Sequence, residues 1–105
     1  MTIEKKIAEA MTNSATYEAM GEEAIEFGQA CYKMARWIRG ESPMNDGPAK
    51  LLDRLGEEWG DLINVMQVAD LKDLYPKVPD RHMAARMKRW YERLKKSGKI
   101  KDDEK

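Results

Sequence analysis

Cysteine is almost absent from this chain. Cys31 stands alone, so no intrachain disulfide can form, and the disulfide framework of a small secreted domain is excluded. A lone thiol within a helical pattern reads as a structural side chain, and a reducing, cytoplasmic setting is expected. His82 is the only histidine. Together with one cysteine it leaves no zinc-ligand spacing, and it lacks the E-x-x-H context of a di-iron bundle. It reads as a surface residue. No run approaches the ~20 apolar residues of a membrane span, and Met1-Thr2-Ile3-Glu4-Lys5-Lys6 has no signal-peptide core. A Gly-rich phosphate loop is missing, and strand signals are absent throughout. Net charge is missing too: Lys+Arg and Asp+Glu are both 19, which argues against a general nucleic-acid coat protein. Neither nucleic acid nor a membrane is therefore expected as a partner.

Charge itself is plentiful, at 36% of 105 residues, and it is unevenly placed. Residues 1–75 hold 8 basic and 14 acidic side chains, and residues 76–105 hold 11 and 5. An acidic body is thus followed by a basic end, which suits a metal with an anionic ligand and equally suits a tail packed on acidic helices. The length fits a single domain over 1–105, with a core at about 14–94 and a polar tail at 97–105 expected to fray. A domain this small gains stability by oligomerising.

Hydrophobic periodicity predicts four helices and no strand. The first covers 3–11. The second starts after a Ser14 or Asn13 cap and runs to about Arg39, with Tyr17, Met20, Ala24, Ile25, Cys31, Tyr32, Ala35 and Ile38 recurring every three or four residues. A loop follows at Gly40–Pro48, a candidate lid or a plain connector. Pro48 opens the third helix, which reaches about Tyr75 and carries a seam of Leu52, Leu55, Trp59, Leu62, Met66 and Ala69. Asp80 is expected to cap the last helix after the Pro76–Pro79 break. The two long helices are apolar on more than one side, so a four-helix core completed by a homodimer or a dimer of dimers is expected.

The acids set the function. Glu22, Glu23 and Glu26 are spaced three and four apart, as neighbours on a helix are, and Glu58 and Asp61 are three apart. Like charges at such spacing repel unless a cation sits among them, and Mg²⁺ takes oxygen ligands. Ala24, Ile25 and Phe27 surround the first cluster and Trp59, Leu62 and Ile63 the second, a setting unlike that of solubilising charges. Asn64 shares a face with Asp61, where it is either in reach of metal and substrate or a buried amide bonded to a neighbouring helix. Trp59 reads as core rather than as a platform for a base.

The order E-E-x-x-E, a gap, then E-x-x-D, both on helices, resembles the MazG-like all-α nucleoside triphosphate pyrophosphohydrolases, a superfamily that includes dimeric dUTPases and phosphoribosyl-ATP pyrophosphohydrolase. The resemblance covers roughly residues 14–94, and the gap from Glu26 to Glu58 is long for the family, with the excess in Gly40–Gly47. It implies hydrolysis of a nucleoside triphosphate to monophosphate and pyrophosphate, with Mg²⁺ or alternatively Mn²⁺. Glu22, Glu23, Glu26, Glu58 and Asp61 would share the catalytic work. Glu23, Glu26, Glu58 and Asp61 would ligate metal, and one carboxylate would orient or deprotonate water. Asn64, Arg81 and Lys88 would bind substrate, the last two because cationic side chains of the family's final helix contribute to triphosphate binding. Two other readings compete: a non-catalytic helical interaction module, and a helix-turn-helix DNA binder, the latter weakened because the basic residues surround the last helix.

Overall fold

A computed structural model describes residues 1–41 and 47–101. Most of the expected lid, residues 42–46, lies outside them. Among the described residues there are four α-helices and no strand: α1 (Ile3–Ala10), α2 (Asn13–Ile38), α3 (Pro48–Leu71) and α4 (Asp80–Lys96). The protein is all-α, as the periodicity predicts.

The helix ends show where local chemistry overrides periodicity. Thr2 caps α1 by accepting from Lys5 N at 3.2 Å. The cap of α2 is Thr12, not Asn13 or Ser14: its Oγ1 accepts from Ala15 N at 3.1 Å while Asn13 is already helical. α3 begins at Pro48, whose missing N–H costs nothing in a first turn. It ends four residues before Tyr75. Asp73 takes a left-handed φ of 58°, Asp73 N donates to Asp70 O at 3.0 Å, and Leu74 N donates to Ala69 O at 2.8 Å. These are the paired bonds of a Schellman stop, with aspartate where glycine is usual. Gly40 (φ 70°) ends α2 by the same pattern, Glu41 N donating to Arg36 O at 2.9 Å. Pro79 is the N-cap of α4, which leaves Asp80 inside the first turn, where its charge complements the helix dipole. After α4, Lys99 N donates to Leu94 O at 2.9 Å in a turn; residues 102–105 of the expected polar tail lie outside the described residues.

The chain divides into two units, Met1–Tyr75 and Pro76–Lys105. In the first, α2 and α1 both pack on α3. Contacts pair Thr16 with Lys72 and Phe27 with Trp59, so α2 and α3 run antiparallel. Among the described residues the buried apolar side chains are few and mostly small: Ala30, Leu51, Val68 and Ala69. Thr16 is completely buried; its hydroxyl donates to Thr12 O at 2.9 Å and accepts from Lys72 Nζ at 3.0 Å. Lys72 Nζ also donates to Met11 O. The lysine that follows α3 thereby fastens the α1–α2 junction. In the second unit, Met83, Met87 and Trp90 form an exposed apolar face on α4. Lys95 Nζ lies 5.7 Å from the centre of the Tyr91 ring. His82 is exposed, as expected, and its Nε2 accepts from Arg86 Nε at 3.4 Å.

Candidate functional site

The antiparallel pairing of α2 and α3 brings Glu23 and Glu26 to Glu58. Each offers one carboxylate oxygen, and the three oxygens lie within 4.8 Å of one another. Adjacent ligands of an octahedral Mg²⁺ are about 2.9 Å apart and opposite ones about 4 Å, so the three side chains would have to draw together to share one ion. Glu23 Oε2 and Glu58 Oε2 are both buried without a hydrogen-bond partner. Buried carboxylate oxygens with no donor are costly, and a cation is the partner their chemistry asks for. The donor set therefore fits a hard divalent metal.

The other sequence-derived acids lie outside this trio. Asp61 is exposed, one turn along α3 from Glu58, and is close enough to act on it electrostatically. Glu22 is exposed and does not join the trio. Asn64 is exposed too, so its reading as a buried amide fails. Arg81 and Lys88 are exposed on α4, in the second unit.

The Glu58 carboxyl is raised above the usual glutamate range. Loss of hydration is the main cause, followed by the charge of Glu26 and a hydrogen bond shared with it, then by the charge of Asp61; Arg54 opposes them. A raised folded value means that the native state keeps a proton which the unfolded chain has already released. Glu58 therefore lowers stability progressively as pH climbs from the ordinary glutamate value through the raised one, and stops doing so below the ordinary value. Glu58→Gln, neutral at every pH, isolates the effect. Without metal, the variant is expected to melt above the wild type at neutral pH, with the difference closing as the solution is acidified. Were Mg²⁺ to bind at the trio, excess metal would be expected to reverse the order at neutral pH, because only the wild type would offer the third charged ligand. Melting curves across pH with chelator and with Mg²⁺ check both signs.

A cavity of about 300 Å³ adjoins the acids, lined by Glu26, Gln29, Ala30 and Lys33 from α2 and by Arg54 and Glu58 from α3. Lys33 and Arg54 are not among the residues picked out by sequence. Their signal was present: Lys33 is seven residues beyond Glu26 and Arg54 four before Glu58, which are same-face helical spacings. Recognising it required knowing that α2 and α3 are antiparallel neighbours in this register.

A larger apolar groove, about 900 Å³, is lined by Met20, Ala24, Trp59, Leu62, Ile63 and Met66 among others, and shares no residue with the acidic cavity. At about 100° per residue, Gly21 and Ala24 fall to one side of Phe27 on α2, and Glu23 and Glu26 to the other. The groove and the acids thus occupy opposite sides of the helix pair. Trp59 is 50% exposed in this groove and meets Phe27 with ring centres 5.0 Å apart. It is a half-covered rim residue rather than core. The expectation that apolar side chains enclose both acid clusters fails for Ile25, which is 63% exposed.

No family model matches this chain, and no curated protein or solved structure matches it either.

Proposed function

We propose that this protein is a Mg²⁺-dependent nucleoside triphosphate pyrophosphohydrolase of MazG-like architecture, acting at the Glu23–Glu26–Glu58 trio. The observation that carries the reading is the pair of orphaned, buried oxygens on Glu23 and Glu58, which come from different helices and converge with Glu26. Glu23, Glu26 and Glu58 would hold the metal, and Asp61 would join by turning its exposed carboxylate inward. Bound there, Mg²⁺ would neutralise phosphate oxygens and acidify a water molecule. Arg54 and Lys33 line the same cavity and would meet phosphate charge directly. Glu22, exposed beside the trio, would orient or deprotonate water rather than bind metal. Asn64 stays as a candidate for the nucleoside, whereas Arg81 and Lys88, in the second unit, remain expectations of the resemblance alone.

A panel of nucleoside triphosphates with Mg²⁺ or Mn²⁺, followed by pyrophosphate release, tests the reading. Turnover of at least one substrate, abolished by chelation and restored by added metal, is the expected result. Absence of release across the panel, with no rise in melting temperature on adding Mg²⁺, would return the chain to the alternative reading. That alternative is a non-catalytic helical interaction module. One observation favours it: the apolar groove is larger than the acidic cavity and lies away from it.

Self-association belongs to both readings. A second copy laid on the apolar groove would complete a four-helix core around Leu62, Ile63 and Met66.

A further inference from the structure

α4 puts its charge and its apolar surface on different faces. It holds seven basic and two acidic side chains. At about 100° per residue, Met83, Met87, Trp90 and Leu94 fall within an arc of about 60°. Arg86, Arg89 and Arg93 follow on one flank of that arc, and Lys88 and Lys95 on the other. Glu92 falls at the opposite pole, and Asp80 sits at the start of the helix. The side chains agree with this wheel. Val78, Met83, Met87 and Trp90 line one depression, with Arg86 and Arg93 at its edge. Met83, Met87 and Trp90 are each more than half exposed.

A contiguous exposed apolar stripe marks an interaction surface, and the cations on both flanks call for an anionic partner. The stripe is one row of side chains wide. A helix seated in a protein groove buries a broader arc, whereas a flat surface needs only one row with cations beside it. Arg and Lys stems can reach a plane of headgroups while the apolar row enters the acyl boundary. Trp90 suits that boundary, being apolar in its body and polar at its N–H. Among the described residues no helix is long and apolar enough to cross a membrane, so α4 would lie in the plane of one.

We propose that α4 is an interfacial anchor for an anionic phospholipid bilayer. It lies flat, with Met83, Met87 and Trp90 below the headgroups and Glu92 toward water. The inference is independent of the acidic trio. It revises the expectation that a membrane is no partner, which rested on the lack of a spanning segment.

The test floats the whole protein with vesicles of phosphatidylcholine alone, or with about one-third phosphatidylserine. At physiological salt, binding to the anionic vesicles is expected to be about tenfold or more tighter. Met87→Asp is expected to lower that binding about tenfold or more. Met87→Leu should keep it, and Glu92→Gln should keep or tighten it, with helix content matched by circular dichroism. Brominated acyl chains should quench the fluorescence of the wild type and spare Trp90→Phe. Equal binding to both vesicles, binding to neither, or anionic binding undiminished in Met87→Asp would overturn the anchor. So would tighter binding to duplex DNA than to the anionic vesicles, which would make α4 a nucleic-acid face. A wild type that ignores vesicles and halves its mass on Met87→Asp would assign the stripe to a second copy instead.

Discussion

Glu58→Ala is expected to abolish pyrophosphate release while leaving the helices intact. Glu58 supplies one of the two orphaned oxygens, and it is the α3 member of a trio whose other two members come from α2. On the proposed reading its loss would remove the one α3 ligand of the metal, so several kcal/mol of electrostatic help would disappear and turnover would fall on the order of a thousandfold or more. Glu26→Ala is expected to do the same. Asp61→Ala reports whether the exposed carboxylate turns inward, and it too is expected to be inactive. The informative feature is the sign of the stability change. Without metal, Glu58→Ala removes a poorly hydrated carboxyl crowded by Glu26 and Asp61, so the variant should melt at or above the wild-type temperature. Lost activity with retained or raised stability marks a site kept for function against the preference of the fold. Wild-type-like turnover in Glu58→Ala, or activity undiminished by thorough chelation, would dispose of the metal reading.

The second large effect is on assembly. The Met1–Tyr75 unit buries few large apolar side chains, yet it presents a groove flanked by Trp59 and Ile63. Light scattering at micromolar concentration is expected to give twice the mass of the chain or a higher even multiple. Ile63→Glu should weaken association on the order of a hundredfold or more, since it would place a carboxylate in the apolar seam that a second copy would cover. The groove lies away from the acids, so the dissociated variant should still respond to Mg²⁺. A wild type that remains monomeric at that concentration would refute the assembly.

Much of this was legible in the order of residues. Helical periodicity located all four elements, and the acid spacing located three residues that converge across α2 and α3. Three kinds of information were not legible. Helix ends depend on which of several adjacent polar residues is left extended, and Thr12 took that role ahead of Asn13 and Ser14. The end of α3 depended on Asp73 adopting a left-handed conformation that periodicity does not encode. The register between α2 and α3 is a long-range property, and it alone brings Lys33 and Arg54 beside Glu26 and Glu58. The same register leaves Asp61 and Glu22 outside the trio, because residues three or four apart share a face broadly and do not all meet one point across it.

The Lys72 clamp carries a consequence for how the protein opens. Its ammonium holds Met11 O and Thr16 Oγ1, both at the junction between α1 and α2, whereas α1 itself has no buried residue. α1 therefore lies on the surface of α3 rather than embedded in the core. Its amides can exchange with solvent through a local opening that leaves α2 and α3 closed, while the junction exchanges only when the helix pair itself separates. The slowest-exchanging part of the N-terminal region should accordingly be the first turns of α2, with a step in protection at Thr12.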